Sequence, residues 1–211
     1  MPKVDTRKML EYKEQLDSAF SMYVNDISPL IVRFEVEKGE FPIEVLNEIR
    51  AIYNHLACAS LSQDDDEVKY NVEKIGSHSK RALLDCFKYI CMLCGDEYDA
   101  FMARYKGVDL TFIENGEFLR DIVKLRKAAI AAFLDAKNME SLHKGTNEEV
   151  FIAYQNSYNL FEKLKERLCQ AEETAAFLEQ KAAVKNDREI AFGLIGLIGF
   201  IATIVGLFAC K

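Results

Sequence analysis

A chain of 211 residues is long enough for one domain with a real core. Its net charge of −7 argues against a broad phosphate-binding face of the kind nucleic-acid binders present and leaves room only for a local basic groove. Half of the residues are hydrophobic while the mean hydropathy is −0.08, so the apolar content is concentrated in part of the chain.

In chain order, the polar start from Met1 to Lys8 offers no apolar core for translocation. The six cysteines are therefore expected as reduced thiols. A first helix is expected over about Thr6–Met22, with a second piece over Pro29–Glu37. The next helix opens at Pro42 and runs to Leu61, with Val45, Leu46, Ile49, Ile52, Tyr53 and Leu56 at a helical period. A turn at 62–66 leads into a third helix from Asp66 to about Tyr105. On it, Cys91-Met-Leu-Cys94 has CxxC spacing with no second CxxC and no suitably placed His, which reads as buried core thiols. Asn115-Gly116 lies between helical patterns, and a fourth helix is expected over Gly116–Leu142, with Leu119, Ile122, Val123, Leu125, Ile130, Phe133 and Leu134 as its stripe. Thr146-Asn-Glu-Glu149 has capping-box form. From there nothing breaks a helix of about 64 residues, or about 96 Å, which would tie the bundle mechanically to whatever its far end enters. Proline is absent after Pro42 and no strand-like alternation occurs, so the class is all-α.

That far end is apolar. The 21 residues from Ile190 to Cys210 carry no charge, and Thr203 is their one clearly polar side chain. As a helix they extend roughly 31 Å, the thickness of a bilayer's hydrocarbon core. Lys181, Lys185 and Arg188 precede the stretch and only Lys211 follows it, which orients the N-terminal part to the cytoplasm. The expectation is a cytoplasmic helical bundle over 1–185 and a transmembrane anchor over 186–211, a tail-anchor topology in the inner (plasma) membrane. Gly193, Gly196 and Gly199 recur every three residues, and the pairs Gly196–Thr203 and Gly199–Gly206 are seven apart. Small residues let helix backbones approach in lipid, so these spans are expected to pack into a homo-oligomer.

One soluble segment carries chemistry. The second helix reads Glu48-Ile-Arg50-Ala-Ile-Tyr-Asn54-His55, and its back holds Asn47, Arg50, Ala51, Asn54, His55 and Cys58. A solvated face would hold Lys and Glu instead, so this one suits a second packed surface such as a protomer interface. An imidazole can move a proton at a ribose 2′-hydroxyl, and a guanidinium can stabilise charge on the phosphate it attacks. On the third helix, His78, Lys80 and Arg81 are expected near the same groove.

Arg50-x4-His55, with Asn54 before the His, in the second helix of a small bundle, resembles the HEPN superfamily, many of whose members are RNases of bacterial immunity. Ala51 stands where that family usually has a polar residue. With a transmembrane helix added, the chain looks like the small accessory membrane proteins of type VI-B CRISPR systems. That resemblance implies a pore-like homo-oligomer that perturbs the membrane, an RNA-guided RNA nuclease as functional partner, and a requirement for Arg50 and His55. Two other readings stand beside it. One is a membrane-tethered, metal-independent ribonuclease using His55 and Arg50. The other is an inactive tail-anchored scaffold in which both residues satisfy polar groups of the core. None of these readings calls for a metal or a cofactor.

Overall fold

The computed structural model describes the backbone of residues 8–142 and 148–209, and the side chains of 8–142 and 148–184. Every regular element among them is helical. A 3₁₀ turn, Lys8–Tyr12, leads into α1 (Lys13–Met22). A π-helical turn, Tyr23–Ile27, joins α1 to α2 (Ser28–Lys38). The two expected pieces are therefore one path. Pro29 lacks the N–H that an α-helix needs at that point, and the π turn absorbs the mismatch: the Ser28 N–H bonds back five residues to the Tyr23 carbonyl. Gly39, at φ 71°, ends α2 by donating to the Glu35 carbonyl at 2.8 Å.

Pro42 is the extended residue ahead of α3 (Ile43–Leu61). Asp64 then caps α4 (Asp65–Arg104), accepting from the Asp66 N–H at 3.1 Å. A 3₁₀ segment, Leu110–Gly116, follows. Its last three residues, Glu114, Asn115 and Gly116, all have positive φ, so the Asn-Gly signal marks the sharp entry to α5 (Glu117–Leu142). The final element, α6 (Glu148–Ala209), is one unbroken helix of 62 residues. The capping-box residue Thr146 lies outside the described residues.

The chain divides into two compact units. The first, Met1–Glu97 with Lys124–Lys165, has a core of Ile27, Ile31, Val45, Leu84, Phe87 and Tyr154, and a second cluster of Leu16, Ala59, Val68, Val72 and Ile75. Phe87 stacks on Tyr158 with ring centroids 4.9 Å apart. Three helices are clamped by ions: Arg33 of α2 meets Glu162 of α6 at 2.7 Å, and Lys165 of α6 bridges Glu37 of α2 and Glu97 of α4, each at 2.8 Å. The second unit, Tyr98–Val123 with Glu166–Lys211, packs Phe101 edge-on against Tyr105 and Phe118. Arg104 and the Tyr105 hydroxyl share the Glu172 carboxylate, and Arg167 reaches Glu114 at 2.6 Å.

Burial refines the expected stripes. On α3, Val45 and Ala59 are fully buried and Ile49, Ile52 and Leu56 half-buried, while Leu46 and Tyr53 face outward. On α5 the buried positions are Phe118, Ile122, Ala129 and Ala136, leaving Val123, Ile130 and Leu134 exposed. On α6 the buried positions alternate by four and three residues: Val150, Tyr154, Ser157, Phe161, Leu164, Leu168, Ala171 and Ala175. Cys91 and Cys94 are buried as expected, Cys86 is buried with them, and burial pushes each thiol up to about 12, so they remain protonated.

Among the described residues no helix is long and apolar enough to cross a membrane. The uncharged stretch 190–210, with the packing positions Gly193, Gly196, Gly199, Thr203 and Gly206, lies outside the residues whose side chains are described.

Candidate functional site

The sequence places Glu48 and His55 seven apart on α3, and Asn71 and His78 seven apart on α4. A spacing of seven returns to the same helix face after two turns. The two helices run antiparallel here, so the pairs meet crosswise. His55 Nδ1 lies 2.8 Å from Asn71 Oδ1, and His78 Nδ1 lies 2.5 Å from Glu48 Oε2.

These contacts set the protons. Asn71 is buried, and its Nδ2 donates to the Glu67 carbonyl at 2.8 Å. Its Oδ1 is therefore the atom facing His55, and Nδ1–H of His55 donates to it. At His78 the partner is a carboxylate, so Nδ1–H donates there too. In the neutral form each imidazole keeps its proton on Nδ1 and leaves Nε2 as an acceptor, the state that a general base requires. The two rings stack with centroids 5.1 Å apart and planes 27° from parallel, and Tyr70 meets His55 edge-on at 6.3 Å.

The cation at this pair is Arg81. Its Nη2 lies 3.2 Å from His78 Nδ1 and its Nε 3.7 Å from Glu48 Oε2, so the guanidinium and the imidazole converge on one carboxylate. Arg50 and Asn54 are exposed on the outer side of α3 instead. Two residues separated by five positions on a helix point about 140° apart, so packing His55 against α4 turns Arg50 away from that contact. Lys80 is exposed and pairs with Glu148 at 3.4 Å. Both Lys80 and Arg81 line a cleft of about 590 Å³ with Gln15, Gly76 and Ser77.

His55, His78 and Arg81 are thus brought together. Glu48, Asn71 and Tyr70 complete the cluster without having been singled out, and the paired seven-residue spacings were the signal available for the first two. Arg50 belongs to a second feature. With Asn47 and Asn54 it shares the outer face of α3 with Ile43, Leu46 and Tyr53, of which Ile43 is 66 % and Tyr53 74 % exposed. Large apolar groups around a guanidinium, without lysine, have the composition of an interface core.

Among the described residues no group of three or more His, Cys, Asp or Glu side chains is placed to hold a metal ion. No protein-family model, no curated protein and no solved structure matches this chain.

Proposed function

We propose that this chain is a membrane-anchored helical effector of RNA-targeting antiphage immunity. It assembles with copies of itself and perturbs the inner membrane when a companion RNA-guided RNA nuclease is active. One observation carries the reading: α6 contributes buried residues to the bundle from Val150 onward and continues as helix through Ala209, so the uncharged stretch 190–210 prolongs a packed element. A helix of that length and composition is far more stable in hydrocarbon than in water. The outer face of α3, with Ile43, Tyr53 and Arg50, supplies a surface for assembly, and the resemblance of residues 48–56 and the anchor to the accessory membrane proteins of type VI-B CRISPR systems supplies the biological setting.

The test is induced expression together with an RNA-guided RNA nuclease and its target. The effector reading expects the membrane to depolarise without added loss of bulk RNA beyond what the nuclease alone causes. Unchanged membrane potential sinks it.

The imidazole pair favours a second reading, a metal-independent ribonuclease. Beside a guanidinium, one imidazole unprotonated at Nε2 can take the 2′-hydroxyl proton while the other, in its imidazolium form, gives its Nε2 proton to the leaving 5′-oxygen. Rings stacked 5.1 Å apart leave no room for a phosphodiester between them, so the rings must separate or act from one side. This reading expects the purified chain to cleave RNA in chelator and His55→Ala or His78→Ala to abolish cleavage. Intact RNA after prolonged incubation rules it out.

A further inference from the structure

A seam spaced by alternate fours and threes is the pattern of helices that wrap around one another, and on α6 it is buried from Val150 to Ala175. The next two positions of the same register are Leu178 and Ala182, and there burial ends. Leu178 is half-buried, Ala182 is exposed, and a cavity of about 990 Å³ opens beside them toward the turn that carries Phe112. Phe112 and Phe177 at this cavity are 72 % and 63 % exposed. The register then passes through two charged positions, Lys185 and Glu189. It resumes in the uncharged stretch as Phe192, Gly196, Gly199, Thr203 and Gly206. Four of the five small residues singled out in that stretch therefore share the register that packs inside the chain.

We infer that Leu178 and Ala182 are the contact at which parallel copies of α6 meet just outside the membrane. The inference rests on the reading that 190–210 spans a bilayer. Copies anchored in one membrane point the same way and present the same register at the same height, which is what a parallel seam requires. Lipid is the poorer occupant. At about 1.5 Å per residue Leu178 stands roughly 18 Å from Ile190, well beyond the headgroup layer of about 5–8 Å. Five polar residues, 185–189, occupy that layer, so acyl chains do not reach the cavity. The seam thus passes from intramolecular packing, through the intermolecular contact at Leu178, to close backbone approach at the glycines.

Disulfide trapping in intact membranes tests this, using the full chain with Cys58, Cys169 and Cys210 replaced by Ser so that the remaining thiols are buried. Two thiols link only when their Cα atoms come within about 7 Å. Leu178→Cys and Ala182→Cys are each expected to give linked dimers on mild oxidation. Gln180→Cys, at the same height and about 200° around the helix from Leu178, is expected to stay monomeric. Equal linking at Gln180→Cys overturns the seam, because it reports collision rather than register. Linking of Gly199→Cys without Leu178→Cys also overturns it, while leaving membrane assembly standing. No linking at any of the four positions overturns the seam and the assembly together.

Discussion

At the residue scale, the informative arrangement is the crosswise pairing of Glu48 with His78 and His55 with Asn71. Each imidazole is held through Nδ1, so what the site can do depends on whether its Nε2 edge is reached by a substrate. Acid sensitivity has a clear local source elsewhere in the same unit. Burial works to raise the Glu140 carboxyl, but Lys88 at 2.7 Å and the Tyr154 hydroxyl at 2.6 Å outweigh it and hold the group below the usual carboxylate range. A carboxyl depressed by folding stabilises the native state at pH values above its unfolded value of about 4.3, and that stability is lost as pH falls toward the folded value. Melting temperature of the native chain should therefore hold from neutrality to about pH 5 and drop as pH falls below that toward the folded value, and Glu140→Gln should flatten part of that drop. An identical acid limb in the variant would show that Glu140 contributes nothing to it. Asp85 runs the other way: burial raises its carboxyl, and it gives up an unfavourable charge as pH falls.

At the scale of elements, helix positions were legible and helix faces less so. Gly39, Pro42 and Asn115-Gly116 mark real ends because only glycine and asparagine readily accept positive φ, and proline cannot continue a helix unaided. The path through Pro29 was not legible, since a π turn leaves no residue-type signature. On α3 and α5 the apolar period was present but too wide. Leu46, Tyr53, Val123 and Leu134 satisfy the same spacing as the buried residues and lie outside the packed face, because periodicity cannot say which edge of a broad stripe meets a neighbour. The candidate site was half legible for a related reason: a motif search weights Arg50 and His55 together, whereas antiparallel packing selects His55 with His78 and puts Arg81 beside them. The α6 seam makes a prediction of its own. Leu164→Ala, at a fully buried position, should cost about 2–5 kcal/mol in denaturant unfolding, whereas Leu178→Ala, at a half-buried one, should cost the monomeric chain clearly less. Equal losses would mean that Leu178 is already packed within its own chain.

At the scale of the molecule, an all-α chain with an acidic bundle, a histidine pair held between two helices and an uncharged prolongation of α6 is consistent with action at a membrane. In the proposed function the bundle supplies order and contact surfaces, and the prolongation supplies location. The most direct measurement is alkaline carbonate extraction of membranes from cells expressing the full chain, beside a variant with Leu194→Arg and Ile201→Arg. Two arginines near the middle of a span oppose insertion by about 5–7 kcal/mol on insertion scales. The account predicts that the native chain stays with the extracted membranes and that the variant is released to the supernatant. Release of the native chain, or retention of both, would contradict it.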